Sequence, residues 1–264
     1  MSASDILCYV GPAGDHNDRA MAASPELARA FAEATGRGVR TVGTPVPAEP
    51  TAWDVELDRA RADLTTMARA AHEVLATGQQ LVAANTRCVV ALATIPAVLR
   101  HRPETVVVWF DAHADIHVPD STPTGFLGGM AYSGPLGWWD SGLGAGLPDS
   151  QAVLVGARDV DPAEVTRLEQ GSPAWVASGP GLAQRLAETV GDRPVFVHID
   201  CDVLEPGIVA TDYRVADGLT LDDVAACASA LSGLDVVGLE IGEFEGPAAH
   251  TADDLIRAVS PLLR

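Results

Sequence analysis

Short apolar runs recur along this chain, and most are separated by stretches whose apolar positions return with helical period. ILCYVG predicts a first strand, VRTVG a second and QLVAA a third. Between the first two, SPELARAFAEATG predicts a helix with Ser24 as N-cap, Pro25 in its first turn and Gly36 as terminator. Residues 56–77 predict a long Ala-rich amphipathic helix stopped by Gly78, and RCVVALATIPAVLRH a further helix that contains Pro96. TVVVWF, AVLVGA, AWVA, PVFVHID and VVGLEIGE follow as strands, with helices over residues 180–191 and 221–231 among them. These β-branched runs show little polar alternation, as strands buried on both faces of a parallel sheet do. The pattern predicts an α/β fold, a three-layer αβα sandwich with a mostly parallel central sheet, formed as one domain over residues 1–264. In such folds ligands gather at the C-terminal edge of the strands. The longest irregular stretch, residues 118–150, is rich in Gly and Pro and holds Trp138 and Trp139, so it is expected to form a binding wall there.

Composition narrows the partners. With 36 acidic against 17 basic residues the formal charge is −19, which argues against nucleic acid or an anionic membrane and is compatible with a cationic small-molecule substrate. Cys8, Cys88, Cys201 and Cys227 lie in or beside apolar stretches without CxxC or zinc-finger spacing, as reduced, buried thiols would. MSASDILCYVG lacks the basic and apolar regions of a signal peptide, and no apolar run reaches membrane-spanning length. The expectation is a soluble cytoplasmic protein.

The chemistry concentrates where two strands end. After TVVVWF comes DAHADIH; in an extended chain Asp111, His113 and Asp115 would share one face, with Ala112 and Ala114 on the other. Ionisable groups at the mouth of an apolar strand need compensation, and a divalent cation supplies it. The plainer alternative is a solvated loop in which Asp115 caps a helix. PVFVHIDCDVLEPG repeats the arrangement with Asp200 and Asp202, and places His198 on the same face if the strand stays regular. Carboxylates with an imidazole make a hard site that suits Mn²⁺ better than thiolate-bound zinc. Glu243 is either a strand-end charge or a partner for a planar guanidinium. Asp159, Asp161 and Glu164 open either a capped helix (DVDPAE) or a substrate contact.

Taken in order, DAHAD, VGARDVDPAE, HIDCDVLEP (with Glu205 for a final Asp) and GLEIGEFEGP resemble motifs of the arginase/agmatinase (ureohydrolase) family over residues 81–264. The resemblance implies a binuclear manganese site whose hydroxide attacks a guanidinium carbon, with trimers or hexamers as the assembly. It makes Asp111 and Asp200 bridging ligands, gives Asp115 to the first metal, and gives His113 and Asp202 to the second. Glu243 and Asp115 become the catalytic carboxylates, with Glu243 pairing with the guanidinium. Asp161 would face the substrate's α-amino group with Glu164 behind it, and His117 and Thr124 would face the carboxylate.

The chain also departs from that pattern. Where the family carries a metal-binding histidine in GGDHS, VAANTRCVV is expected to place Thr86, which would leave the first metal only carboxylates. His16 in GDHND has the right letters in the wrong place, and His117 and His198 are candidate replacements. Gly128 stands where the family has a proton-relaying histidine, Thr124 where it has a serine, and His117 where it has an asparagine. Tyr213 falls near a threonine of the pocket. These changes argue against simple L-arginine as substrate. They also motivate two alternatives: a non-catalytic scaffold or regulatory homologue with a degenerate site, and an amide hydrolase of the deacetylase kind.

Overall fold

The computed structural model of the protein describes residues 5–264. Strands β1 (Ile6–Tyr9), β2 (Val39–Val42), β3 (Leu81–Ala84), β4 (Val106–Phe110), β5 (Ala152–Val155), β6 (Ala174–Val176) and β7 (Val195–Asp200) join one sheet. A two-residue β8 (Val209–Ala210) lies outside it and pairs antiparallel with β10 (Gly246–Pro247), while β9 (Val236–Gly242) completes the sheet. The order is β2-β1-β3-β9-β7-β4-β5-β6, and every pairing within it is parallel.

Helices α1 (Arg19–Thr35), α2 (Trp53–Ala76), α3 (Ala91–His101), α4 (Pro162–Glu169), α5 (Leu182–Val190), α6 (Leu221–Leu231) and α7 (Ala252–Val259) cover it. α1, α5, α6 and α7 pack on one face, α2 and α3 on the other. Successive strand residues alternate between the two layers: Ile6 and Cys8 join the first, Leu7 and Tyr9 the second. Each Val or Leu buried in this way contributes about 1.5–3 kcal/mol, which is why the strands tolerate so little polarity. Among the described residues no helix is long and apolar enough to cross a membrane.

The expected elements are present, with shifted boundaries. α1 begins at Arg19, not Ser24: Ala20, Met21 and Ala23 are buried, and the helix runs back past Pro25. Ser24 is therefore no cap; its buried hydroxyl donates to the Tyr9 carbonyl at 2.9 Å. Gly36 does end the helix, in the left-handed region at φ 70° that glycine enters without penalty. The helix expected from residue 56 starts at Trp53. Cys88–Val90 forms a separate 3₁₀ turn before α3.

Strand order decides where the chemistry collects. From β3 the chain crosses to β4 and leaves a gap that β7 and β9 later fill, so the ends of β3, β9, β7 and β4 lie side by side. Residues 118–150 are irregular as expected, but the tryptophans take other work. Trp139 is buried edge-on to Trp53 at 5.7 Å, and Trp138 lies under the Arg167 guanidinium at 4.4 Å.

Candidate active site

Asp111 follows β4 directly and is fully buried; its Oδ1 accepts the His113 amide at 2.6 Å and its Oδ2 the Trp109 indole N–H at 2.9 Å. The chain therefore turns at once, and Asp115 sits at φ 53°. Asp111, His113 and Asp115 do converge, but through this turn and not through the alternation of an extended strand. Ala112 and Ala114 are buried behind them. After β7 the pattern repeats: Asp200 Oδ1 accepts the Asp202 amide at 2.7 Å, and Asp202 Oδ1 accepts the Ala112 amide at 3.1 Å, which stitches the two motifs together. His113 Nδ1 lies 3.1 Å from Asp202 Oδ2 and 3.3 Å from Asp111 Oδ1.

Cys88, and not Thr86, is the residue after β3 whose side chain reaches the aspartates. The Thr86 hydroxyl lies 3.5 Å from the Gly11 carbonyl oxygen, and its own carbonyl accepts the Glu243 amide at 3.1 Å. Asn85 points back to Glu240 at 3.0 Å. The chain spends three residues leaving β3, so the first side chain that reaches the aspartates after β4 and β7 is Cys88, whose Sγ is 3.0 Å from Asp200 Oδ2. His198 stands behind the thiol, with Nε2 3.1 Å from Sγ, Nδ1 2.8 Å from Glu240 Oε1 and its ring stacked on Trp109. His198 thus braces the site from within the sheet, fully buried. The other candidate replacement, His117, lies with Asp161 and Glu164 instead.

The donor set fits metal ions. Ligand atoms of Cys88, Asp111 and Asp115 come within 4.8 Å of one another, as do those of Cys88, Asp200 and Glu243, and those of Asp111, His113 and Asp202. Shared members make these adjoining sets: the two that share Cys88 hold a soft thiol, and the third is wholly nitrogen and oxygen. Burial and then mutual repulsion hold Asp115 and Asp200 well above the ordinary carboxylate range and raise Asp202. Burial opposes ionisation of Asp111 too, but His113's hydrogen bonds and charge outweigh it and hold that carboxyl low. Burial would likewise discharge His113, yet Asp111 and Asp202 keep it protonated, so a metal must displace that proton.

The sign of the pH effect follows. Asp115, Asp200, Asp202 and His113 all bind protons more tightly in the native chain than in the unfolded one, so stability falls as pH rises above their ordinary values. Asp111 acts oppositely, but below its ordinary value of about 4. Metal-free protein is expected to lose melting temperature from about pH 5 to about pH 8, while a divalent ion at about 100 times its Kd restores about 2.7 kcal/mol. Thermal melts with chelator or metal check this; a gap that narrows with rising pH counts against the ligand set.

Above His113 and Asp115 opens a cavity of about 260 Å³, lined also by His117, Thr124, Phe126, Gly129, Asp159, Asp161, Glu164 and Tyr213. Hollows of about 470 and 500 Å³ exist elsewhere, but neither is lined by His113 or Asp115. His117 Nε2 is 2.9 Å from Asp161 Oδ2. Glu164 is a strut: its oxygens accept the Ile116 and Asp161 amides, each at 3.1 Å. Asp161 starts α4 in a capping box, as one reading of DVDPAE expects, and its half-exposed carboxylate also lines the cavity. A Cβ on Gly128 would fall 2.4 Å from the Phe126 ring, so Phe126 fills that space. His16 packs on Phe126 at 4.3 Å, away from the carboxylate cluster.

Glu243 lies deeper, at φ 61°. Its Oε1 accepts the Cys88 amide at 3.1 Å and its Oε2 the Arg87 guanidinium at 2.5 Å. Burial raises its carboxyl to about 7. Arg87 and Cys88 are the two site residues that sequence reasoning missed.

A sequence model of the arginase family matches residues 34–263. The chain is 38% identical over 244 residues to an N(omega)-hydroxy-L-arginine amidinohydrolase from Streptomyces lavendulae, across 92% of this chain and 89% of that protein. Among solved structures its fold superposes on arginase from Bacillus subtilis with TM-score 0.83 at 17% identity, covering 99% and 98% of the two chains. It also superposes on proclavaminate amidino hydrolase from Streptomyces clavuligerus with TM-score 0.67 at 17% identity, covering 99% and 91%.

Proposed function

The chain belongs to the arginase family and is a hydrolase of guanidino C–N bonds, and from that premise we propose that its substrate is an N-hydroxyguanidine of the Nω-hydroxy-L-arginine type and its metal manganese. One observation carries the hydrolytic site: four buried aspartates, His113 and Cys88 converge beneath a cavity whose far wall presents Asp161. The 38% likeness to the Streptomyces lavendulae amidinohydrolase supports the choice of substrate.

We infer that Asp111 and Asp200 would serve both metal positions, Cys88 and Asp115 would hold the first, and His113 and Asp202 would hold the second. When bound, the metals supply a hydroxide nucleophile at neutral pH and stabilise the charge that develops at the attacked carbon. The chain's own residues do the rest. Asp161 receives the α-amino group, with Glu164 holding the start of α4 in place, while His117 and Thr124 face the α-carboxylate. Glu243 orients the head group, and the Phe126 ring occupies the space beside Gly128 where the family likeness would place a relay histidine. Asp115, on the cavity floor, passes a proton to the departing amine. Water adds to the guanidino carbon, the bond to the side-chain nitrogen breaks, and N-hydroxyurea and ornithine leave. The acidic surface supports a cationic small molecule over nucleic acid or membrane as partner. A cytoplasmic homo-oligomer, trimer or hexamer, is the setting we propose on the family likeness.

Manganese-loaded protein is expected to release N-hydroxyurea from Nω-hydroxy-L-arginine with kcat/KM at least about tenfold above urea release from L-arginine. Chromatographic product assay of both reactions decides. Equal or reversed preference makes the chain a plain arginase, and release from neither favours the non-catalytic scaffold.

A further inference from the structure

We propose that Arg87 selects the head group: its fixed guanidinium occupies the charge of Glu243, so the site favours weakly basic guanidines over guanidinium cations. This inference rests on the substrate reading above. Arg87 is 3% exposed and stands among three carboxylates. Nε donates to Asp15 Oδ1 at 3.0 Å and Nη1 to Glu243 Oε2 at 2.5 Å. Nη2 is 3.1 Å from Glu245 Oε1, out of line for a hydrogen bond.

Glu243 is the carboxylate to which a guanidinium substrate would pair. Both of its oxygens already hold a donor, one from Arg87 and one from the Cys88 amide. Each oxygen can still accept another hydrogen bond, but Arg87, whose shortest contact with the three carboxylates is to Glu243, already offsets part of that carboxylate's negative charge. A guanidinium brought to the same group meets Arg87's charge in a buried setting. Two like charges about 4 Å apart there repel strongly enough for more than a tenfold preference. An N-hydroxyguanidine avoids the conflict, because its electron-withdrawing hydroxyl makes it a much weaker base and leaves a large neutral fraction near neutral pH. The same backbone step that aims Cys88 at Asp200 aims Arg87 at Glu243, so the altered ligand and the altered charge come from adjacent residues.

A purely structural Arg87 would tie the residue-15 loop to the end of β9 and affect all substrates alike. Substrate ratios separate the two roles. The wild-type protein is assayed with Nω-hydroxy-L-arginine, L-arginine and L-canavanine, whose guanidinooxy head is weakly basic but has no N-hydroxyl. Canavanine is expected to exceed arginine in kcat/KM by about tenfold or more. The ratio of N-hydroxyarginine to arginine is expected to survive Arg87→Lys and to fall about tenfold in the charge-balanced Arg87→Gln/Asp15→Asn, through a lower KM for arginine. If wild type prefers arginine to its N-hydroxy form, the substrate reading fails and takes this inference with it. If wild type prefers the N-hydroxy form but treats canavanine no better than arginine, the hydroxyl is recognised and the Arg87 proposal alone is overturned. An unchanged ratio in a folded double variant also overturns it. If that variant does not fold, the canavanine comparison decides alone.

Discussion

Replacing Cys88 with serine is expected to lower metal content at the first position and to cut kcat/KM by more than the roughly 10- to 100-fold typical of a residue that only supports a ligand. The thiol is within 3.0 Å of Asp200 and shares a ligand cluster with Asp111 and Asp115, so it is placed to touch the ion itself. Burial and then the surrounding aspartates push the Cys88 thiol far up in the metal-free chain. A thiol so held binds nothing as an anion until a cation arrives, so ligation and deprotonation must occur together. Serine keeps the volume and offers a hydroxyl that does not ionise under these conditions. Cobalt substitution gives a direct reading: the wild type should show a thiolate-to-cobalt charge-transfer absorption, and Cys88→Ser should not. Thr86→Val serves as the contrast and should leave metal stoichiometry intact, since that hydroxyl faces Gly11 and the metal position does not depend on it. Full metal content and activity in Cys88→Ser would remove the thiol from the centre.

How far the sequence revealed all this differs from one residue to the next. The strands were legible because burial on both faces leaves an almost unbroken apolar run, as in Val106–Phe110 and Val195–Asp200. Asp111, Asp115, Asp200 and Asp202 were legible because paired acids directly after such runs are costly without a counter-charge. Cys88 was not, because its place depends on how many residues the chain spends leaving β3. Asn85, Thr86 and Arg87 turn to Glu240, Gly11 and Asp15 in succession, and none of those partners is near in sequence. The available signal was chemical: between Ala84 and Val89 only cysteine offers a strong metal donor. Arg87 gave no signal at all, since a buried arginine is recognisable only once its carboxylates are gathered around it. Ser24 misled because the letters of a cap, Ser-Pro followed by Glu, occur inside a helix whose buried Ala and Met residues extend it backwards.

His198→Leu is expected to destabilise the fold by about 1–3 kcal/mol, the cost of leaving a buried hydrogen-bonding group without its partner. His198 and Glu240 are both fully buried on adjacent strands, directly opposite in the β7–β9 register, with Nδ1 and Oε1 2.8 Å apart. Glu240 would keep only Asn85 and Thr94, two neutral donors that bind the same oxygen, Oε2, and Oε1 would face the new leucine. The lost stacking on Trp109 adds to the cost. The unpartnered oxygen is the larger part, so the double variant His198→Leu/Glu240→Met should recover part of the loss, because replacing both partners of a buried hydrogen bond by apolar groups can be nearly neutral, while Asn85 and Thr94 lose their acceptor. Urea denaturation of the two variants checks this. The double variant should nevertheless remain a poor enzyme, since the imidazole that braces Cys88 at 3.1 Å would be gone while the fold stands. A single variant that loses less than about 1 kcal/mol would mean that Glu240 Oε1 is not left without a partner when the imidazole is removed.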